Sequence, residues 1–155
     1  RIVEGDVRDP EGLPTVLPTT ADFDLVTGTP PYLPLGSATV SARPQVGPAH
    51  LEVRGGIAAY CVAAARWLSA AGTFVTCAGG GQSARVADAA TAAGLHIVAQ
   101  LDVIPRAGKS CLFAVYTLRR QPAAVMAPRT LTVRDRDGHR TAECRAMRAA
   151  MGLPP

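Results

Sequence analysis

Lysine is almost absent from this chain. Lys109 is the only one, and the rest of the positive charge is arginine. No apolar run reaches the ~20 residues that a membrane-spanning helix needs. The four cysteines, Cys61, Cys77, Cys111 and Cys144, stand far apart and form no Cys-x-x-Cys pair. Three of them lie in apolar segments, so they read as reduced core thiols rather than disulfides or zinc ligands, which points to a cytoplasmic protein. His50, His96 and His139 share no ligand spacing, and no metal site is expected. The chain opens at Arg1-Ile2-Val3-Glu4 with neither a methionine nor a signal-peptide pattern, and reads as an interior fragment. There is no internal repeat and no low-complexity tract beyond an alanine bias.

What is present suits a globular core. Hydrophobic residues make up 48% of the 155 residues and charged residues 18%, enough for one domain or part of one. The formal net charge of +4 is compatible with a nucleic-acid partner. An arginine-heavy, alanine-rich composition also follows from GC-rich coding, so the charge decides little by itself.

The order of elements is more informative. Ile2–Gly5 reads as the end of a strand, and Pro10–Ala21 as a Pro/Thr-rich connection. Phe23–Thr27 reads as a buried strand. Leu33–Pro48, with Gly36, Pro44, Gly47 and Pro48, is a long loop of the kind that carries function. Helical spacing of Ile57, Tyr60, Cys61, Ala64, Trp67, Leu68 and Ala71 predicts a helix over 54–71, with Trp67 in the core and Gly72 as its stop. Thr73–Cys77 is an apolar strand, and Ala78-Gly79-Gly80-Gly81 after it a loose loop. A second helix spans 82–93 and stops at Gly94. Leu95–Val103, with His96 as a core or edge residue, and Ser110–Leu118 are strands joined closely enough to be antiparallel neighbours. The whole is an α/β pattern: a parallel sheet closed by an antiparallel strand. Residues 1–120 form a partial domain. Residues 121–155 form an extension with a short strand at Thr130–Val133, a turn at Asp137-Gly138 and a helix from Thr141 to Met151.

One segment stands out: Asp24-Leu25-Val26-Thr27-Gly28-Thr29-Pro30-Pro31-Tyr32. A short apolar strand runs through a glycine into a rigid Pro-Pro-aromatic corner. Each proline fixes its own φ and lacks an N–H, and the residue before a proline is pushed to extended geometry. Carbonyls in such a stiff corner are not all consumed by a ladder, and one of them can be aimed at a ligand amine. Tyr32 adds a flat face suited to stacking on a base, worth roughly 1–3 kcal/mol. Taken alone, Thr-Pro-Pro-Tyr describes a Pro-rich surface turn. The order of elements around it favours a functional corner.

The corner resembles the Asn/Asp-Pro-Pro-Tyr/Phe motif of methyltransferases that modify planar amines, with Thr29 in place of the Asn. The chain as a whole resembles the C-terminal half of a class I S-adenosylmethionine-dependent methyltransferase. More narrowly, it is similar to the bacterial valine-tRNA adenine N(6)-methyltransferases. Further stretches carry the likeness: Ala49-His50-Leu51-Glu52-Val53-Arg54-Gly55-Gly56, Leu68-Ser69-Ala70-Ala71-Gly72-Thr73-Phe74-Val75, and the tail Leu131-Thr132-Val133-Arg134-Asp135 with Thr141-Ala142-Glu143.

The resemblance implies a Rossmann-like methyltransferase sheet, mostly parallel with an antiparallel C-terminal hairpin, its N-terminal strands and glycine-rich cofactor loop lying outside this chain. Strand Ile2–Gly5 would then stand apart from Phe23–Thr27 by a gap of about 15 Å, exposing apolar strand edges and faces. It implies S-adenosyl-L-methionine as cofactor, with Asp6, Val7 and Thr29 contacting it. It implies methyl transfer to an adenine exocyclic amine in RNA, as in tRNA modification. Thr29, Pro30, Pro31 and Tyr32 would be the catalytic segment. Tyr32, Arg43, Arg54 and Lys109, with Arg106, would contact the substrate. A protein glutamine, a small-molecule amine, or a non-catalytic RNA-binding role remain open as alternatives.

Overall fold

The computed structural model describes residues 5, 6, 8, 9, 23–34, 36, 46–124 and 126–154. Apart from Gly5, the expected strand at Ile2–Gly5 and the Pro10–Ala21 connection lie outside the described residues, as do Val7 and Arg43.

The elements follow in the order β1 (Phe23–Gly28), α1 (Val46–His50), α2 (Ile57–Trp67), β2 (Leu68–Gly79), α3 (Ser83–Ala92), β3 (His96–Ile104), β4 (Phe113–Arg119), β5 (Arg129–Thr132) and α4 (Ala142–Ala150). One sheet has the order β1-β2-β4-β3-β5. β1 pairs parallel with β2 and β3 parallel with β5, while β4 is antiparallel to both β2 and β3. Four strands therefore point one way and β4 alone runs back, which is the mostly parallel α/β sheet with an antiparallel hairpin. β5, from the 121–155 segment, extends the same sheet at its edge.

Both longer helices cover one face. Alternation along β2 and β4 turns Phe74, Ala78, Ala114, Tyr116 and Leu118 toward them, and these meet Ile57, Cys61 and Ala64 of α2 and Val86, Ala89 and Ala90 of α3 in a single core. Burying side chains of this size contributes about 1.5–3 kcal/mol each.

Several local expectations shift. Strand β1 is not buried: it lies at the sheet edge, and Phe23 and Leu25 are 38% and 60% exposed. Apolar composition made it read as buried, but burial depends on what covers the strand. Helix α2 ends at Trp67, not at Ala71, and Gly72 lies inside β2. Between Phe23 and Leu25 of β1 the pairing on β2 advances from Leu68 to Thr73, an irregularity that takes up the extra residues. Gly72 serves this crossing: a Cβ there would stand 2.6 Å from the Phe23 carbonyl oxygen. The stop for α2 comes from elsewhere. Arg120 donates to the Ala65 carbonyl and, at 3.0 Å, to the Leu68 carbonyl. A cation thus satisfies the open carbonyls of the last turn. Trp67, on the flank of the α2 stripe, is half-buried and stands outside the core cluster.

The remaining punctuation is as read. Gly94 ends α3 at φ +67° and Gly138 takes φ +93° in the Asp137-Gly138 turn. Thr141 caps α4: its hydroxyl accepts from the Cys144 N–H at 3.1 Å and donates to the Thr132 carbonyl at 2.6 Å, tying the helix to the end of β5.

Candidate active site

The C-terminal ends of β1, β2, β3 and β5 lie along one edge of the sheet, and the corner follows β1 there. Pro30 is fully buried, Pro31 half-buried, Thr29 exposed and Tyr32 38% exposed. The buried ring anchors the turn, and the residues on either side of the proline pair face outward.

Tyr32 is held by residues distant in sequence. Its ring passes 3.3 Å from where a Cβ on Gly79 would stand, so the glycine is what admits the ring. Gln82, at the start of α3, donates from Nε2 to the Tyr32 carbonyl at 2.6 Å. The next residue is fixed on both sides: the Leu33 N–H donates to the His50 carbonyl at 3.1 Å, and the Leu33 carbonyl accepts from the Glu52 N–H at 3.0 Å. Glu52 in turn accepts from Arg85 Nη2 at 3.0 and 2.8 Å. That carboxylate raises the Arg85 pKa. It also packs against Gly56, where a Cβ would fall 2.5 Å from Glu52 Cδ. Corner, α2 start and α3 are thereby joined.

The Gly79-Gly80-Gly81 stretch is not a loose loop. A Cβ on Gly80 would lie 2.1 Å from the Cys111 carbonyl oxygen, and the Gly80 N–H donates to the Leu112 carbonyl at 3.0 Å. Gly81 turns the chain at φ +79°. Gly79 answers a steric demand of the corner, Gly80 one of the β3–β4 connection, and Gly81 the positive φ of the turn.

On the sheet face away from α2 and α3, a cavity of about 380 Å³ opens beside the corner. Thr27, Gly28, Thr29, Val75, Cys77 and Val115 line it, with Thr76 and Phe113. Thr76 shares the helix-side face of β2 with Phe74 and Ala78, and its Oγ1 is buried there with no hydrogen-bond partner among the described residues. Gly28 keeps the other side tight: a Cβ there would meet Tyr60 Cδ1 at 2.6 Å.

The other anticipated residues are dispersed. Asp6 lies with Arg8, which donates to its carboxylate from the backbone N–H at 2.9 Å, from Nε at 2.9 and 3.1 Å and from Nη2 at 2.5 Å. These bonds, with a smaller contribution from the Arg54 charge, lower the Asp6 pKa to about 2. Lys109 is exposed in the β3–β4 turn. His96 is exposed at the first position of β3, neither buried nor within the β5 pairing. Asp135, Asp137 and His139 bring one ligand atom each within 4.8 Å of one another, a grouping that histidine spacing did not suggest. The residues missed beforehand were Gly79, Gln82 and the Glu52–Arg85 pair. Gln82 directly after a glycine run was the one local signal, because it marks a helix start.

No protein-family model and no curated protein sequence matches this chain. In structure, the chain is similar to the crystal structure of a predicted O-methyltransferase, protein Atu636 from Agrobacterium tumefaciens, with a TM-score of 0.62 at 14% sequence identity. The likeness is one of fold, a Rossmann-like α/β sheet. The likeness covers 97% of this chain but only 61% of that protein. Among the described residues no helix is long and apolar enough to cross a membrane.

Proposed function

We propose that this chain is the substrate-side part of an S-adenosyl-L-methionine-dependent N-methyltransferase, and that its acceptor is an adenine exocyclic amine in RNA, with tRNA the first class to test. One observation carries the reading. The Thr29-Pro30-Pro31-Tyr32 corner stands at the C-terminal edge of a methyltransferase-type sheet, its first proline buried, its aromatic ring held half-open and a cavity at its side.

The cavity suits the reacting end of that cofactor. Its described lining has threonine hydroxyls and apolar groups and no cation that would repel a sulfonium. Thr29, Thr27 and Gly28 are the residues that would hold it. When bound, the cofactor supplies an electrophilic methyl group on sulfur.

The residues of the chain act on the acceptor. An adenine amine is a poor nucleophile because its lone pair is delocalised into the ring. The Pro30 carbonyl accepts one amine hydrogen, and the Thr29 hydroxyl, able to accept or donate, takes the other. Holding both hydrogens localises the lone pair. With the methyl group supplied by the cofactor, the amine would give up its proton to water only after transfer, so no strong base is required beforehand. Tyr32 stacks on the ring and sets the angle of attack. A hydroxyl reaches less far than the Asn amide it replaces, and losing one well-placed acceptor costs a few kcal/mol of transition-state stabilisation. That same shorter reach favours, as a second reading, a glutamine amide or small-molecule amine as acceptor.

In the full-length protein, Tyr32→Ala is expected to lower methyl transfer about 10- to 100-fold with cofactor binding little changed. Thr29→Asn keeps or raises the rate if adenine is the acceptor. Label from S-adenosylmethionine is followed into total tRNA, total protein and small-molecule pools. Label in protein or small molecules alone moves the acceptor to the second reading. No label in any pool removes the enzymatic reading.

A further inference from the structure

The charge of this chain is segregated. Residues 103–155 hold ten Lys and Arg against three Asp and Glu, whereas residues 1–102 hold six against nine. Part of the cationic excess converges on one place. The β3–β4 turn carries Arg106 and Lys109, and the loop between β5 and α4 carries Arg134, Arg136 and Arg140.

Geometry locks the two loops together. The Ala107 N–H donates to the Arg134 carbonyl at 2.8 Å. Arg134 Nη1 donates to the Gly138 carbonyl at 2.6 Å. Arg106 reaches across from the other side, its Nη2 3.1 Å from where a Cβ on Gly138 would stand. Arg106, Lys109, Arg134 and Arg136 are all exposed. Among the described residues none of these four is ion-paired, in contrast to Arg8 and Arg85. The nearest carboxylates do not cancel them. Asp135 is committed to the turn, accepting from the Asp137 and His139 N–H groups at 3.0 and 2.9 Å, and His139 faces it at 3.8 Å. Asp137 is a single exposed acid among five cations.

Position gives the cluster meaning. Both loops follow the C-terminal ends of parallel strands, on the same edge as Thr29–Tyr32. Packing is continuous between them: Tyr32 rests on Gly79, and Gly80 on Cys111, at the end of the β3–β4 connection. The loop after β5 stands four strand intervals from β1, about 19 Å, and the β3–β4 turn two to three, about 10–14 Å.

We propose that the turn 105–109 and the loop 133–140 form a phosphate-binding platform, which holds the backbone of a structured RNA while its target base occupies the Tyr32 corner. This rests on the RNA acceptor of the preceding section. Exposed, unpaired guanidinium groups on a rigid two-loop support suit bidentate contact with phosphates, and contacts of this kind position a nucleic acid without reading its sequence.

The test compares two triple variants of the full-length protein. One is Arg106→Ala, Lys109→Ala and Arg136→Ala. The other, Arg66→Ala, Arg119→Ala and Arg129→Ala, removes equal charge from exposed sites at the opposite edge. Binding to total tRNA is measured across a salt series. The first triple should flatten the log–log salt slope by about 2 to 3 and weaken binding at least about tenfold near 0.1 M salt. The second should change neither by more than a small fraction of that. Equal effects from both triples, or an unchanged slope in the first, overturn the platform while leaving the RNA acceptor standing. If the unmutated protein binds no tRNA and labels only protein or small molecules, the RNA acceptor falls and the platform with it.

Discussion

The two faces of the sheet carry similar alternating sequence and have different fates. On the helix side, Phe74, Ala78, Tyr116 and Leu118 are sealed at 0–1% exposure. On the other side, Val75, Cys77 and Val115 are half-buried, Thr27 is exposed and Leu25 is 60% exposed. The covered face holds the fold together, and the open face lines the cavity beside the corner. Stability and chemistry are therefore divided between the two sides of the same strands, one residue apart.

The sharpest way to break this division is truncation on either side of one strand. Phe74→Ala should cost about 3–5 kcal/mol of folding stability, because it leaves a cavity among α2, α3 and β2. The neighbouring Val75→Ala should cost under about 1 kcal/mol, because its side chain is already partly in water. Urea unfolding of both variants measures the difference. Near-equal costs would mean that the open face is covered in solution.

A pH titration sharpens the comparison further. Burial pushes the Cys61 thiol up to about 11. Its folded pKa lies above its ordinary value of 9.0, so its contribution is fully present below pH 9 and is lost as pH rises through about 11. Two units correspond to about 2–3 kcal/mol. Stability should decline between about pH 9 and 11, and Cys61→Ala should flatten that decline. At pH 8, Cys61 should resist alkylation until the protein unfolds, whereas Cys77 on the open face reacts first. An identical alkaline profile in the variant would assign the decline to other groups, Tyr116 among them.

The smallest expected effect lies at the edge. Leu25→Thr should change stability by less than about 0.5 kcal/mol and lower the tendency to aggregate, because it removes an exposed apolar group from an open strand. Sedimentation at rising concentration, beside urea unfolding, checks both halves of the statement.

What was legible in the sequence was local. The Pro-Pro corner is rigid from its own covalent structure. Thr141 acts on Cys144 three residues away, and Gly94 and Gly138 turn the chain where they stand. These could be read from a few neighbouring letters. The order of the strands and of the longer helices was legible too, since apolar periodicity changes at each junction, whereas the short α1 begins inside what read as a loop. The misreadings share a different cause. Gly72 carried the usual mark of a helix stop, but the stop is made by Arg120. The support of Tyr32 comes from Gln82, 50 positions on, and Glu52 finds Arg85 at a separation of 33. No window of sequence holds both members of such a pair. The exposure of β1 was hidden for a related reason: an apolar strand has the same composition whether or not a layer packs on it. Of the candidate site, the catalytic segment could thus be found from its own chemistry, and its supports could not.

The cap on α2 also sets an order in time. Its last carbonyls at Ala65 and Leu68 wait for a guanidinium that enters the chain 52 residues after Leu68. During synthesis, at about 5–20 residues per second, that interval lasts roughly 3–10 seconds. Until then the end of the helix is held only by water and by its own frayed last turn. The strand that brings Arg120 lies between β2 and β3, so the cap can close only when the reversed strand has been inserted. The cap on the first long helix and the middle of the sheet are thus supplied by the same part of the chain, and a ribosome-bound chain that stops short of residue 120 lacks that cap.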